Sequence, residues 1–433
     1  MSIRLDFKTA AAYCNFDYLP EGLEDKYKSY EPSNKTILIP RKFLNDIFEQ
    51  YQLPEHTKQW LVGGIEAIEK DEILFLFTAF LVDDMCSLRN RCDEDFYTNM
   101  TPGCMKQYGD LYSFLLLLAC VVPSMEMVEK RGIPKPYYEN IPHQPLKAQL
   151  DKLVAYGDSK VRDFPWDMNF YTCSIFRLDR FLFIPYQFED PFTMYRHVQT
   201  EEVIALRHAG EEFRSDGQRN GINGVFDPGG HFTSKWEEND DHIIANRINP
   251  MGYVEREPTS IAKKEWEPAL QRGDTLLALH IPSGPGYTPE RLKHSMSLAI
   301  ELYANYFPEL NIKGFWSASW LYDTRLSLIL DNEKSNIVLV QRQFYNYPTF
   351  EGDSMLRYEA FGDREADPVQ NDVKYKTSLQ RAAAAYMKTG ARFNTLSMIV
   401  LKEEIEQIGN MPYISDVDID QFFNTVDCHL QRR

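Results

Sequence analysis

Near residue 165 the chain changes its hydrophobic period, and that change constrains the architecture more than any other feature. Before it, apolar residues recur at helical spacing. Phe43, Leu44, Ile47, Phe48 and Tyr51 follow Pro40, a favourable first-turn residue. Trp60, Leu61, Ile65 and Ile68 form a second stripe. A third helix is expected to open at Asp71-Glu72, because Ile73 to Val82 is apolar almost all round, as in the centre of a bundle. Residues 110–122 read the same way, and Leu146 to Tyr156 gives a further stripe. No strand alternation interrupts these segments, so residues 1–160 read as an all-α N-terminal domain.

After the change the segments become short and rich in β-branched and aromatic residues. Residues 175–187, 202–207 and Ile243 to Ile248 read as strands, and 209–241, with its Gly, Asp and Asn clusters, reads as loops. A short helix is expected at 263–271. Asp274 to Ile281 is nearly all apolar, as suits a strand covered on both faces. The turn Pro282-Ser283-Gly284-Pro285-Gly286-Tyr287 leads to Thr288, a good N-cap, and Pro289, a good first helical residue. Leu292, Met296, Ala299, Tyr303 and Phe307 mark the helix stripe. A strand at Gly314 to Ser319, a helix at about 321–330, a strand at Ile337 to Phe344, a helix opened by the capping box Thr377-x-x-Gln380 and a strand at 394–401 complete the series. Alternating strands and helices imply an α/β domain over 161–433, so the chain is α+β overall.

Composition narrows the function classes. With 64 Asp+Glu against 47 Lys+Arg, the net charge of −17 argues against a nucleic-acid binder, which needs a basic face. The longest strictly apolar run, Phe114 to Val122, falls short of the ~20 residues that a spanning helix requires. Seven irregularly spaced cysteines, with no secretory signal after Met1, point to reduced thiols and a cytoplasmic location. No metal is expected, because Cys86, Cys92 and Cys104 lack zinc-type pairing and no His-x-x-x-His occurs.

The strand–Gly284-Pro285-Gly286–helix unit is the main chemical signal. A helix N-terminus offers unpaired amides, and glycines let a phosphate approach the backbone. The unit lacks the third glycine of a dinucleotide fingerprint and a Walker lysine, and Pro285 removes one amide donor, so on spacing alone it reads first as a tight turn into a helix. His280 ends the buried strand. It reads either as a general base or as a hydrogen-bonded core histidine. Gly352-Asp353-Ser354 and Gly157-Asp158-Ser159 look like hydrolase fragments, but no Gly-x-Ser-x-Gly accompanies them. A hydrolase using Ser354 is therefore a third-rank reading.

Several spaced motifs carry a family resemblance. They are Phe176-Arg177-Leu178-x-Arg180, Trp266-x-x-x-Leu270-x-x-Gly273-Asp274, His280-Ile281-Pro282, Ser319-Trp320-Leu321-x-Asp323 and Ser335-Asn336-Ile337. Together they resemble bacterial two-domain acyltransferase-like proteins, in which a helical domain precedes a GNAT-like domain with the N-acetyltransferase fold. The resemblance implies a mixed central sheet and an acyl group moved from acetyl-CoA or another acyl-CoA to a small-molecule, amine acceptor. Residues 274–281 would be the strand that splays from its neighbour, and Ser283, Gly284, Gly286, Tyr287 and Thr288 the cofactor-binding loop. His280 would be the base and Tyr322 the acid, with Ser319, Trp320 and Asp323 at the substrate. The loop pattern of the fold begins with Gln or Arg, a place held here by Ile281. Ile281 and Pro285 favour the alternative of a non-catalytic binding module that has lost its CoA site. No nucleic-acid or membrane partner is expected, and the sequence assigns no oligomeric state.

Overall fold

The computed structural model describes residues 5–31, 37–87, 97–370 and 374–431, with side chains given to residue 425. Two compact units divide at Arg177/Leu178.

The first unit is helical. Its α-helices are α1 (Phe7–Cys14), α2 (Leu23–Ser29), α3 (Arg41–Gln50), α4 (Glu55–Glu69), α5 (Glu72–Ser87), α6 (Tyr112–Lys130), α7 (His143–Tyr156) and α8 (Phe164–Tyr171). The nearly all-round apolar segments are its centre, as their pattern implies. Residues 112–121 of α6 are buried without a break, and α5 buries Phe77, Phe80, Leu81 and Met85. The stretch Gly103–Lys130 is apolar and long enough to cross a membrane, but 72% of its apolar window is buried within the unit, as in a bundle's core helix.

Strand β1 (Phe176–Leu178) spans the dividing point, and the second unit holds β2 (Phe181–Gln187), β3 (Phe192–His197), β4 (Val203–Arg207), β5 (Glu212–Phe213), β6 (Phe232–Thr233) and β7 (Trp236–Glu238). They continue as β8 (His242–Asn249), β9 (Tyr253–Ala262), β10 (Trp266–Leu270), β11 (Thr275–His280), β12 (Gly314–Ser319), β13 (Tyr345–Pro348) and β14 (Leu396–Leu401). One mixed sheet runs β1-β2-β11-β12-β14-β13. A second, antiparallel one runs β10-β3-β4-β8-β7 with β9 on β8. Phe188, Phe192, Met194, Ala205 and Ile248 share a core with Leu276, Tyr345, Tyr347, Ile399 and Leu401, so the two sheets bury one another's apolar faces.

Helix α9 (Pro289–Tyr306) connects the parallel pair β11 and β12. Thr288 caps it by accepting from Arg291 N at 3.3 Å, and Pro289 occupies the first turn. The stripe Leu292, Met296, Ala299 and Tyr303 is buried, each large member contributing about 1.5–3 kcal/mol. The capping box at Thr377 opens α12 (Ser378–Lys388) as its spacing predicts. Shorter helices α10 (Asn336–Gln341) and α11 (Ser354–Leu356) precede it, and α13 (Asp416–Gln431) follows.

Three local expectations are corrected. The helix expected at 263–271 is strand β10, at the sheet edge beside β3, where Pro268 needs no ladder amide and a register shift separates it from Leu270. The strand expected at Ile337 to Phe344 is mostly helix α10, and pairing with β14 begins only at Tyr345. Its run of β-branched residues is helical because Ser335 starts the turn, with Leu339 N donating to Ser335 O. The helix expected at 321–330 is two 3₁₀ turns, Trp320–Tyr322 and Thr324–Leu328. They are separated by Asp323, whose carboxylate caps the second turn.

Cys14, Cys86, Cys104, Cys120 and Cys173 are thiols, whereas Cys92 and the Cys428 side chain lie outside the described residues. Alkylation of the unfolded chain without reductant is expected to modify all seven. Recovery of fewer adducts by mass spectrometry would establish a bridge.

Candidate functional site

The ladder around β11 is lopsided. Its pairing with β2 runs the whole strand, from Thr275↔Gln187 to His280↔Leu182. On its other side it pairs with β12 only at Leu277↔Phe315 and Ala278↔Trp316. Strand β12 stays on β14 as far as Ser319↔Leu396. Beyond Ala278 the parallel strands therefore part, and Leu279-His280 and Ser317–Ser319 border a wedge between them. Backbone donors and acceptors along such a wedge are unspent by the ladder and can serve an extended ligand.

His280 shares a face of β11 with Leu276 and Ala278. Their cross-strand partners on that face include Tyr186 and Trp316, whose rings stack at 4.1 Å and 10°. Trp316 Nε1 donates to Tyr347 Oη at 2.8 Å, and Tyr347 Oη donates to Asp190 at 2.5 Å, which fixes the indole. Burial pushes the His280 imidazole down to about 4, so it is neutral at physiological pH.

The loop after β11 is tied from beneath by one cation. Arg180 donates to the carbonyls of Pro282 (2.5 Å), Gly284 (2.9 Å) and Pro285 (2.7 Å). Gly284 (φ +112°) and Gly286 (φ +95°) supply the left-handed backbone this path needs. With its carbonyls drawn to Arg180, the loop leaves the amides of Ser283, Gly284, Gly286 and Tyr287 without a hydrogen-bond acceptor among the described residues. Pro285 contributes its carbonyl and no amide. Thr288 is spent on capping, and the Glu290 carboxyl is held below its usual range first by its own backbone N–H and then by Thr288. Arg291 forms a two-pronged pair with Asp179 at 2.7 Å, anchoring the start of α9 to the turn between β1 and β2.

Tyr287 and Tyr322 both carry phenols pushed up chiefly by burial, and the charge of Tyr322 adds to the shift of Tyr287. The Tyr287 hydroxyl is buried with no hydrogen-bond partner among the described residues. Its ring lies edge-on to Phe181 at 6.3 Å. Tyr322 packs edge-on to Phe344 at 5.3 Å, and its hydroxyl is buried with no hydrogen-bond partner among the described residues.

Other sequence-derived site residues are differently employed. Ser319 ends β12 and accepts from Leu321 N at 3.2 Å. Trp320 packs against the cluster of Leu326, Leu356 and Ala383. Asp323 is fully buried. Both its oxygens are taken by Arg325 at 2.8 Å, and it also accepts from Asn394 N at 2.7 Å. Asp353 of the hydrolase-like fragment is spent on Arg357. Sequence reasoning missed Tyr186, Trp316 and the loop-holding role of Arg180. Arg180 sits in the turn between β1 and β2 beside Asp179, and nothing local marks it as the holder of a loop about 100 residues along the chain.

Among the described residues no three His, Cys, Asp or Glu side chains are placed to share a metal ion. Residues 175–398 match the family described as GNAT-like C-terminal domain. Among solved structures, the chain is similar to an acyltransferase with CoA and 10C-teicoplanin (TM-score 0.52) and to one with decanoyl-CoA and teicoplanin (TM-score 0.51). Each is 17% identical, with 92% of this chain and 99% of that chain covered. An acyltransferase variant with octanoyl-CoA matches to the same extent, with a TM-score of 0.51. No curated protein matches the sequence significantly.

Proposed function

We propose, for a chain that belongs to the GNAT-like C-terminal domain family, that it transfers an acyl group from an acyl-CoA to an amine on a small-molecule acceptor. The carrying observation is the wedge between β11 and β12 with the Arg180-tethered loop at its end. The unspent strand edges suit the amide-bearing arm of CoA, and the four loop amides at the start of α9 suit its pyrophosphate. That the similar acyltransferases hold octanoyl- and decanoyl-CoA favours a medium-chain donor over acetyl-CoA.

In this reading Ser283, Gly284, Gly286 and Tyr287 give backbone donors, and Thr288 holds the helix start behind them. N-acyl transfer needs an amine freed of its proton, an oxyanion stabilised and a thiolate protonated. The neutral His280 imidazole takes the amine proton. A buried phenol, Tyr322 with Tyr287 beside it, gives a proton to the departing sulfur. Ser319 and Trp320 lie where the wedge opens and meet the acceptor, whereas Asp323 acts on that region through Arg325. The alternative, a binding module without turnover, is favoured by the lack of an amide at Pro285.

A thermal-shift series with CoA, acetyl-CoA, octanoyl-CoA and decanoyl-CoA tests the donor. A ligand at ~100 times its Kd stabilises the folded chain by about 2.7 kcal/mol. The expected order is decanoyl- and octanoyl-CoA above acetyl-CoA. Equal or absent shifts for all four contradict the medium-chain reading.

A further inference from the structure

The two faces of the wedge between β11 and β12 differ in exposure. On one face Leu277, Leu279, Phe315, Ser317 and Ser319 are all buried. On the other, His280, Trp316 and Ala318 are only half-buried. Successive side chains of a strand alternate between faces, and the rung Ala278↔Trp316 puts these three on the same side. That rung is also the last before the strands part, so the indole stands at the closed end of the wedge. Ala318, two residues nearer the mouth of the wedge, carries only a methyl group and leaves that face clear.

The closed end is held rigidly. The Trp316 ring stacks on Tyr186, its Nε1–H is taken by Tyr347, and Tyr347 is oriented in turn by Asp190. Burying an indole N–H without an acceptor costs stability, so the bond to Tyr347 both removes that cost and selects one orientation of the ring. Tyr347 is buried and packs edge-on to Phe192 at 4.7 Å, and Phe192 meets Phe188 at 5.0 Å. Behind the indole therefore lies the apolar core between the two sheets, against which Trp316 is partly buried. The ring separates the wedge from an interior of hydrocarbon character.

We infer that Trp316 sets the acyl chain length: its indole is the end wall at which an acyl chain in the wedge stops, and Tyr347 and Asp190 are positioning residues that keep it there. The inference rests on the acyl-transfer reading, since it requires an acyl chain in the wedge. A chain growing along the wedge buries one more methylene at each step, a gain of about four-fold in affinity. The gain stops at the indole.

Calorimetric titration of the full chain with CoA and the even-numbered acyl-CoAs from hexanoyl to tetradecanoyl tests it. Wild-type affinity is expected to rise with length and to level off within the series. In Trp316→Ala the levelling-off should move to a chain longer by two or more carbons. Tetradecanoyl-CoA should then bind at least about ten-fold more tightly than to wild type, with CoA affinity unchanged. Trp316→Leu keeps apolar bulk and Tyr347→Phe removes only the tethering hydroxyl. Both should move the levelling-off the same way by less, and they carry the test if the alanine variant proves unstable. A tryptophan with a merely structural role would weaken CoA and every acyl-CoA alike and leave the levelling-off in place. That result overturns the inference and leaves the transferase reading standing, as does wild-type affinity that rises through the whole series. Absence of binding to CoA and to every acyl-CoA by the wild type overturns the transferase reading and the inference with it.

Discussion

Replacing His280 with Ala is expected to lower acyl transfer by about 10²–10⁴-fold while leaving acyl-CoA affinity near that of the wild type. The split follows from position: His280 ends β11 at the mouth of the wedge, whereas the loop amides proposed to meet phosphate begin at Ser283. Steady-state turnover beside calorimetric binding reads the two effects separately. Equal losses in both would make His280 a packing residue. The same histidine predicts a pH effect on stability. Its folded pKa, about 4, lies below the unfolded value of about 6.5, so the unfolded chain binds more protons between them. The contribution of neutral His280 is thus fully present above the unfolded value and is lost as pH falls toward the folded one. A His280→Gln variant should lose less stability than wild type between pH 6.5 and pH 4, measured by urea unfolding. An identical decline in both variants would contradict the burial argument.

Replacing Asp323 with Ala is expected to destabilise the second unit by about 3–5 kcal/mol, because Arg325 would remain as an uncompensated buried charge. For a unit of this size the midpoint should fall by about ten degrees. Asp323→Asn keeps the shape and should recover only part of the loss. Chemical denaturation with comparison of slopes checks both. A loss below about 1 kcal/mol in the alanine variant, with impaired use of acceptor, would return Asp323 to the substrate-binding role suggested by its motif.

Where neighbours in sequence set the structure, the sequence was legible. The helical first unit, the Thr288-Pro289 start of α9 and the Thr377 capping box all follow from spacing and capping chemistry. The mixed sheet followed from alternating elements and the family resemblance, and the match over 175–398 supports it. Tertiary pairing decided what remained. The sequence pattern assigned no element to the segments of β3 and β9, yet they help build the second sheet, which buries one face of the first. Residues 337–340 have strand-like composition but turn as a helix, and Trp266–Leu270 does the reverse at a sheet edge. At the site, Gly284, Gly286 and His280 could be found from local pattern. The Arg180 tether could not, because its acceptors lie more than 100 residues along the chain. The stacked Tyr186–Trp316 pair was hidden for the same reason: only the sheet register brings the two rings together.

The most direct test of the account is the titration of wild type and Gly286→Val with decanoyl-CoA by calorimetry. Gly286 sits at φ +95°, a conformation that valine adopts only under strain, and a Cβ there would come into ordinary contact with the Arg180 side chain beneath the loop. The account predicts saturable binding by the wild type and markedly weaker binding by Gly286→Val, with far-UV circular dichroism unchanged. No heat from wild type at millimolar decanoyl-CoA or CoA, or equal affinity in the two proteins, would contradict the placement of an acyl-CoA at the β11–β12 wedge.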